Sequence, residues 1–266
     1  MLASERPHQI LDRVRRSGEL SIDALADEFA VTPQTIRRLV NQLCEEGLLR
    51  RVHGGVKAIP LTQNLEYESR QVLNLEAKRR IARTVARFIP DGSSLFMGLG
   101  TTPECVASAL AGHRDLRVFT NSLNVASVLA RHPDVDITIA GGALRRRDRD
   151  IIGDGAVAFF GRYKADFAVF GVGGLDEEGM LLDFEEGEVD ARKAMVECCR
   201  TSILVADVSK FGRNATVRGG RLHDLDHLFV DAPVPGRFAR MVRQSRVEVH
   251  SAQDDVQNED RVQGRK

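Results

Sequence analysis

Several short stretches gather the side chains best suited to hold an anion. Gly98-Leu99-Gly100-Thr101-Thr102, Thr120-Asn121-Ser122, Gly141-Gly142, Gly171-Val172-Gly173-Gly174 and Asp207-Val208-Ser209-Lys210-Phe211-Gly212 each follow a short apolar run. Glycine lets backbone approach a ligand closely, hydroxyls and free amide N–H groups can hold an anion, and Lys210 adds positive charge. The chemistry they share is recognition of a small phosphorylated metabolite. Gly100, Thr101, Thr102, Thr120, Asn121, Ser122, Gly141, Gly142, Gly171, Asp183 and Lys210 are the candidates for that pocket. A dinucleotide groove fits less well: Gly98-x-Gly100 lacks the third glycine of the nucleotide fingerprint, and no Gly-x4-Gly-Lys-Ser/Thr loop occurs. Asp183, Glu188, Asp207 and Lys210 could also serve a sugar-phosphate isomerase as base and stabiliser, which keeps an enzymatic reading open.

A second set of polar side chains lies near the N-terminus. Thr32-Pro33 reads as an N-cap followed by proline at the first helical position. Ile36, Val40 and Leu43 form the inward stripe of the helix that follows. Thr35, Arg38 and Gln42 then share one outward strip, and Gln34, Arg37 and Asn41 another. Hydrogen-bonding and cationic groups at the start of a helix suit base edges and phosphates. Leu48 to Val56 continues as a basic and apolar stretch with a Gly54-Gly55 turn, which suits a two-stranded wing. Thr32, Gln34, Thr35, Arg37, Arg38, Asn41, Gln42, Arg51, His53 and Gly54 are therefore the candidates for contact with double-stranded DNA.

Charge supports this only when it is read locally. Over the whole chain 38 basic side chains balance 38 acidic ones, which excludes a uniformly basic protein. From Thr32 to Lys57, however, the net charge is +3, a footprint suited to phosphate contacts.

The elements that must position these groups follow from periodicity. Residues 7 to 17 read as a first helix, Ser21 caps a second, and the third spans about 33 to 46, giving a helix-turn-helix. Residues 58–74 lack sustained periodicity and read as a linker. A helix follows over 75–88. Strands are expected at 94–98, 117–120, 136–140, 165–172, 202–206, 228–231 and 246–249. Helices are expected at 103–111, 124–130, 154–160, 186–199 and 238–245. Such alternation predicts a mostly parallel sheet with helices on both faces. The domain plan is thus 1–57 for a winged helix-turn-helix, 58–74 for the linker, 75–250 for an α/β sensor and 251–266 for a disordered tail. Arg145-Arg146-Arg147-Asp148-Arg149-Asp150 reads as a charged surface loop.

No apolar run approaches the 18 residues of a membrane span, and the N-terminus lacks a signal core, so a cytoplasmic protein is expected. Cys44, Cys105, Cys198 and Cys199 form no Cys-x-x-Cys unit and have no histidines at metal-ligand spacing, so no metal site is expected.

Residues 6–57 resemble the winged domain of the DeoR-type bacterial transcriptional regulators. Thr35-Ile36-Arg37-Arg38 and Leu48-Leu49-x-Arg51-x-His53-Gly54-Gly55 match that signature, although Leu39 stands where the family usually has Asp. The resemblance continues to about residue 250 through Gly100-Thr101-Thr102-Pro103-Glu104, Asn121-Ser122-Leu123-Asn124-Val125-Ala126 and Asp207-Val208-Ser209-Lys210-Phe211-Gly212-Arg213-Asn214-Ala215. It implies a sensor domain similar to sugar-phosphate isomerases, usually without their catalysis. It also adds Arg192, in a basic pair, to the effector candidates. The function it implies is a repressor that leaves its operator when a small phosphorylated effector binds. That effector is glycerol-3-phosphate or another sugar or polyol phosphate, with no further cofactor. A homodimer or homotetramer is implied as well.

Overall fold

The apolar stripe of the N-terminal region closes around one small core. In the computed structural model, which describes residues 6–45, 48–58 and 64–252, α1 (Arg6–Ser17), α2 (Ile22–Glu28) and α3 (Pro33–Glu45) bury Ile10, Val14, Leu25, Ile36, Val40 and Leu43 together. Ser21 caps α2 as expected, its hydroxyl accepting the Ala24 N–H at 3.0 Å. The Thr32 hydroxyl accepts the Thr35 N–H at 3.3 Å and starts α3. The expected wing is present as β2 (Leu49–Val52) and β3 (Gly55–Ala58), paired antiparallel. It gains a third strand, β1 (Glu19–Ser21), which lies on the other side of β3. Gly55 permits this, since a Cβ there would collide with the Leu20 carbonyl oxygen. Three residues are too few for strand periodicity to show in sequence. Leu39 is buried against this core, so the departure from the family pattern is a packing residue.

The large domain begins before the expected helix. α4 (Tyr67–Val72) falls within the stretch read as a linker, and its Tyr67 and Arg70 are buried. α5 (Leu75–Phe88) follows on the Asn74 turn. Then come β4 (Ser94–Met97), α6 (Thr101–Ala109), β5 (Leu116–Thr120), α7 (Leu123–Leu129), β6 (Val135–Ile139), α8 (Asp154–Phe160), β7 (Ala165–Phe170), β8 (Gly174–Leu175), β9 (Met180–Asp183), α9 (Glu186–Glu197), β10 (Cys199–Val205), β11 (Val217–Arg221), β12 (His227–Val230), α10 (Ala239–Gln244) and β13 (Glu248–Ser251). Seven strands form one parallel sheet in the order β13-β12-β10-β7-β4-β5-β6. Alternate residues feed opposite faces: Leu95 and Met97 pack with α5, α6 and α7, whereas Phe96 packs with Phe160 under α8 and α9. The mostly parallel α/β architecture is as expected, with helices on both faces.

A small antiparallel sheet, β11-β9-β8, caps one end. It was not legible beforehand, because β8 has only two residues. Of the stretch expected to be a tail, Ser251 completes β13 and Ala252 is buried. The rest of that expected tail lies outside the described residues. None of the described helices is long and apolar enough to cross a membrane.

Candidate effector site and nucleic-acid interface

Strand order decides where a ligand can sit. From β4 the chain runs outward through β5 to β6, while β7 and the later strands extend the sheet the other way. The loops leaving β4 and β7 therefore diverge and open a crevice beyond their carboxyl ends. Leu99 to Thr102 from the first loop and Gly171 to Gly173 from the second line this cleft, together with Asn64, Arg70, Asp183, Glu188 and Lys210. Its volume is about 40 Å³, space for a few waters. Gly100 turns the chain into α6 with φ +119°, a conformation L side chains rarely adopt. The unpaired N–H groups at the start of α6 are thereby brought to the cleft.

Lys210 lines the cleft, and Arg213 stands behind it against Gly173 and Asn64. Among the described residues the Lys210 ammonium makes no hydrogen bond or ion pair. The Arg213 guanidinium reaches only neutral oxygens, Gly173 O at 3.2 Å and Asn64 Oδ1 at 2.9 Å, while lying over the Phe184 ring. Lys78 spends its ammonium on the carbonyls of Arg70 and Leu73. Burial first, and then the Arg213 charge, pushes Lys210 down to about 7. Burial and the nearby Arg70 push Arg213 down to about 10. Both depressions mean that a negative charge placed in the cleft would be stabilised.

The acids are already committed. Asp183 Oδ1 accepts the Gly173 N–H at 2.7 Å, and Oδ2 accepts from Arg192 Nη2 at 2.5 Å. Arg192 also donates to Gly219 O at 2.7 Å, so it ties β9 to β11. The Asp207 carboxylate caps the Val208–Lys210 turn and accepts from Asn74 Nδ2. Neither Asp183 nor Asp207 is placed as a free base.

The Arg145–Asp150 stretch departs from its reading as a surface loop. Arg145 forks onto Asp150 at 2.9 and 2.8 Å and donates to Glu188 Oε1 at 2.6 Å, and Asp150 is fully buried. Arg70 pairs with buried Asp148. A run of mixed charge looks solvated in sequence, but these side chains find partners on α4 and α9. Burial raises the Glu188 carboxyl to about 7, the Arg145 charge opposing it and the Asp183 charge adding to it.

Of the sequence candidates, Gly100, Thr101, Thr102, Gly171, Asp183 and Lys210 line one cleft. Asn121 and Arg192 line an adjoining crevice that shares Gly171, Asp183 and Glu188 with it. Thr120, Ser122, Gly141 and Gly142 line neither. Thr120 donates to Met97 O at 2.7 Å, and Ser122 caps α7. Sequence reading missed Asn64, Arg70 and Arg213. Only Arg213 carried a signal, as it lies in the same motif as Lys210. At the far edge, the polar atoms of His227, Glu248 and His250 come within 4.8 Å of one another. The two imidazoles there hydrogen-bond to each other at 3.1 Å and pack on Phe88.

On the small domain, Gln34, Arg37, Arg38, Asn41 and Gln42 are exposed along α3, with Thr35 half-buried beneath them. Arg51 of the wing donates to Asn41 Oδ1, which fixes wing and helix as one surface. His53 and Gly54 form the exposed wing turn. Among the described residues neither Arg37 nor Arg38 has an acidic partner, so both are available to phosphates. Replacing Arg38 with Ala should weaken operator binding about tenfold. If Arg38 meets a phosphate, the salt slope should also drop by about one. Fluorescence anisotropy at several salt concentrations checks this, and effector affinity should be unchanged by calorimetry.

A DNA-reading head joined to a parallel α/β ligand-binding domain is the architecture of a metabolite-responsive transcriptional regulator. Residues 6–61 match the DeoR-like helix-turn-helix domain and residues 73–232 the DeoR C terminal sensor domain; the chain belongs to the DeoR family. It is 43% identical over 235 residues to the glycerol-3-phosphate regulon repressor of Escherichia coli, covering 88% of this chain and 93% of that one. It is 44% identical to the repressor of the same name from Haemophilus influenzae, covering 88% and 91%. The transcriptional repressor CsqR of Escherichia coli is 36% identical, covering 96% and 98%. Among solved structures, ribose 5 phosphate isomerase A from Neisseria gonorrhoeae aligns with 53% of this chain and 54% of its own, at 17% identity and a TM-score of 0.38.

Proposed function

We propose that this regulator represses genes of sugar- or polyol-phosphate metabolism and leaves its operator when a small phosphate monoester binds the cleft between β4 and β7. The observation that carries the proposal is the pair Lys210 and Arg213 at the strand-order reversal, two cations that among the described residues have no carboxylate within ion-pair distance, the Asp207 and Asp183 charges lying further off. A phosphate monoester offers the charge and the acceptor oxygens they lack. Glycerol-3-phosphate is the effector we favour, supported by the names of the relatives at 43–44% identity. The relatives with other names leave another sugar or polyol phosphate as the alternative. The exposed face of α3 and the wing would read double-stranded operator DNA. A homodimer or homotetramer would match a symmetric operator.

Titration of labelled operator with and without glycerol-3-phosphate tests both halves. Specific binding that weakens as effector is added is the expected outcome. Binding indifferent to DNA sequence would sink the repressor reading, and specific binding unchanged at saturation would sink this effector.

The cleft also sets a pH dependence. Above about pH 7 free Lys210 loses its proton and Glu188 becomes charged, so both changes oppose a dianion. Effector affinity should therefore fall between pH 7 and 8.5, and binding at pH 7.5 should take up protons. Below about pH 6 the ester itself becomes singly charged and affinity should fall again. Calorimetry in two buffers of different ionisation enthalpy reads the proton uptake directly; proton release at pH 7.5 would contradict the assignment.

A further inference from the structure

We propose that Asn64 is an internal competitor for the effector's phosphate. Its side-chain carbonyl holds the Arg213 guanidinium in the free protein, and a bound phosphate monoester takes that guanidinium and releases the segment leading to the DNA-binding domain. The inference rests on the effector reading above and concerns how the same site is coupled to DNA.

Three observations carry it. Asn64 Oδ1 accepts from both Arg213 Nη2 at 2.9 Å and the Leu65 N–H at 3.0 Å. Two donors converging on one atom require the amide oxygen there. This oxygen sits on the guanidinium as an anion would, but without a full charge. A phosphate oxygen adds a full negative charge opposite the guanidinium and can pair with its fork through two oxygens, and so displaces it.

Space points the same way. A cleft of about 40 Å³ holds a few waters, and a ten-heavy-atom ester gains room in it if one wall yields. The loops after β4 and β7 are poor candidates, because Thr101, Thr102 and Pro103 after the first and Phe170 before the second are buried. Asn64 is half-buried and held through side chains, with Arg213 on its amide and Arg147 on its carbonyl.

Chain connectivity gives the movement a direction. Downstream of Asn64 the segment is pinned, with Tyr67 donating to Glu104, Arg70 on Asp148 and Lys78 on the Arg70 carbonyl. Upstream, six residue steps back, lies Ala58 at the end of β3. Loss of the Asn64 contact thus frees the end nearer the DNA-binding domain, while Tyr67 stays as the pivot.

The sign of one substitution decides the matter. If Asn64 competes with the effector, Asn64→Ala in the full-length protein should bind glycerol-3-phosphate about tenfold more tightly and release operator at correspondingly lower effector. If Asn64 merely contacts the ligand, the same change weakens binding. Asn64→Asp, which puts a carboxylate on Arg213, should bind at least tenfold more weakly and resist induction. In the wild type, hydrogen exchange at the amides of residues 64–66 should speed up when glycerol-3-phosphate saturates the protein. Unchanged or weakened affinity in Asn64→Ala, or binding that leaves exchange unchanged, overturns the competitor. Absence of binding by glycerol-3-phosphate and by a panel of other sugar and polyol phosphates overturns the effector reading, and this inference with it.

Discussion

Lys210→Met should produce a repressor that stays on its operator at effector concentrations that release the wild type, because effector affinity falls about 10- to 100-fold. One charge-assisted bond to a phosphate is worth about 1.5–3 kcal/mol, and this ammonium has no other partner among the described residues. The same substitution should raise thermal stability. Burial and the neighbouring Arg213 hold Lys210 at about 7, well below its value in an unfolded chain, so the fold works against its charge. The unfolded chain keeps the proton through the window between about 7 and the ordinary lysine value. Stability of the wild type should thus rise with pH across that window, and the advantage of Lys210→Met should shrink from pH 7 to pH 9. Scanning calorimetry and effector titration read the two effects separately. A variant that binds normally would remove Lys210 from the site, and one that loses stability would contradict the electrostatic argument.

Arg145→Met is expected to destabilise the protein by about 3–5 kcal/mol, the usual cost of stranding buried charge. Asp150 and Glu188 lose the guanidinium that neutralises them, and Asp148 loses a neighbour at 3.5 Å. Burial already raises the Asp150 and Glu188 carboxyls, and Arg145 is the main opposing influence on both. Without it they rise further and hold protons more tightly in the fold than in the unfolded chain. Folding of the variant is then favoured at low pH and weakened as pH rises through the folded values. Its deficit against the wild type should be smaller at pH 5.5 than at pH 8. Arg145→Lys keeps charge but not the fork, and should fall between the two. A deficit independent of pH would mean that Arg145 acts through packing alone.

Much of the architecture was legible because local signals agreed with one another. The amphipathic stripe of 75–88 and the capped starts at Ser21 and Thr32 set helix ends within a residue or two. Short apolar runs alternating with helical stretches marked all seven parallel strands. The strand order was not legible, since it depends on which side each crossover takes. The contacts that matter most in the cleft join residues far apart in sequence. Arg213 and Asn64 are 149 positions apart, and Arg145 and Glu188 are 43 apart. No local pattern encodes such pairs. Segment 64–74 was misread for a related reason: a six-residue helix has too few turns to show a period, and Tyr67 is buried by the sensor rather than by its own helix.

The shortness of the join between head and sensor has a mechanical consequence. From Ala58 to Asn64 the backbone can span at most about 20 Å, whatever path it takes. On the coupling proposed above, a shift at Asn64 that carries the two ends towards that limit would be passed on to β3. Lengthening the leash by a few glycine and serine residues would leave both ends chemically intact and still lower the gain between metabolite and promoter. If the coupling holds, the length of the join, rather than its chemistry, would set how strongly the metabolite is heard at the promoter.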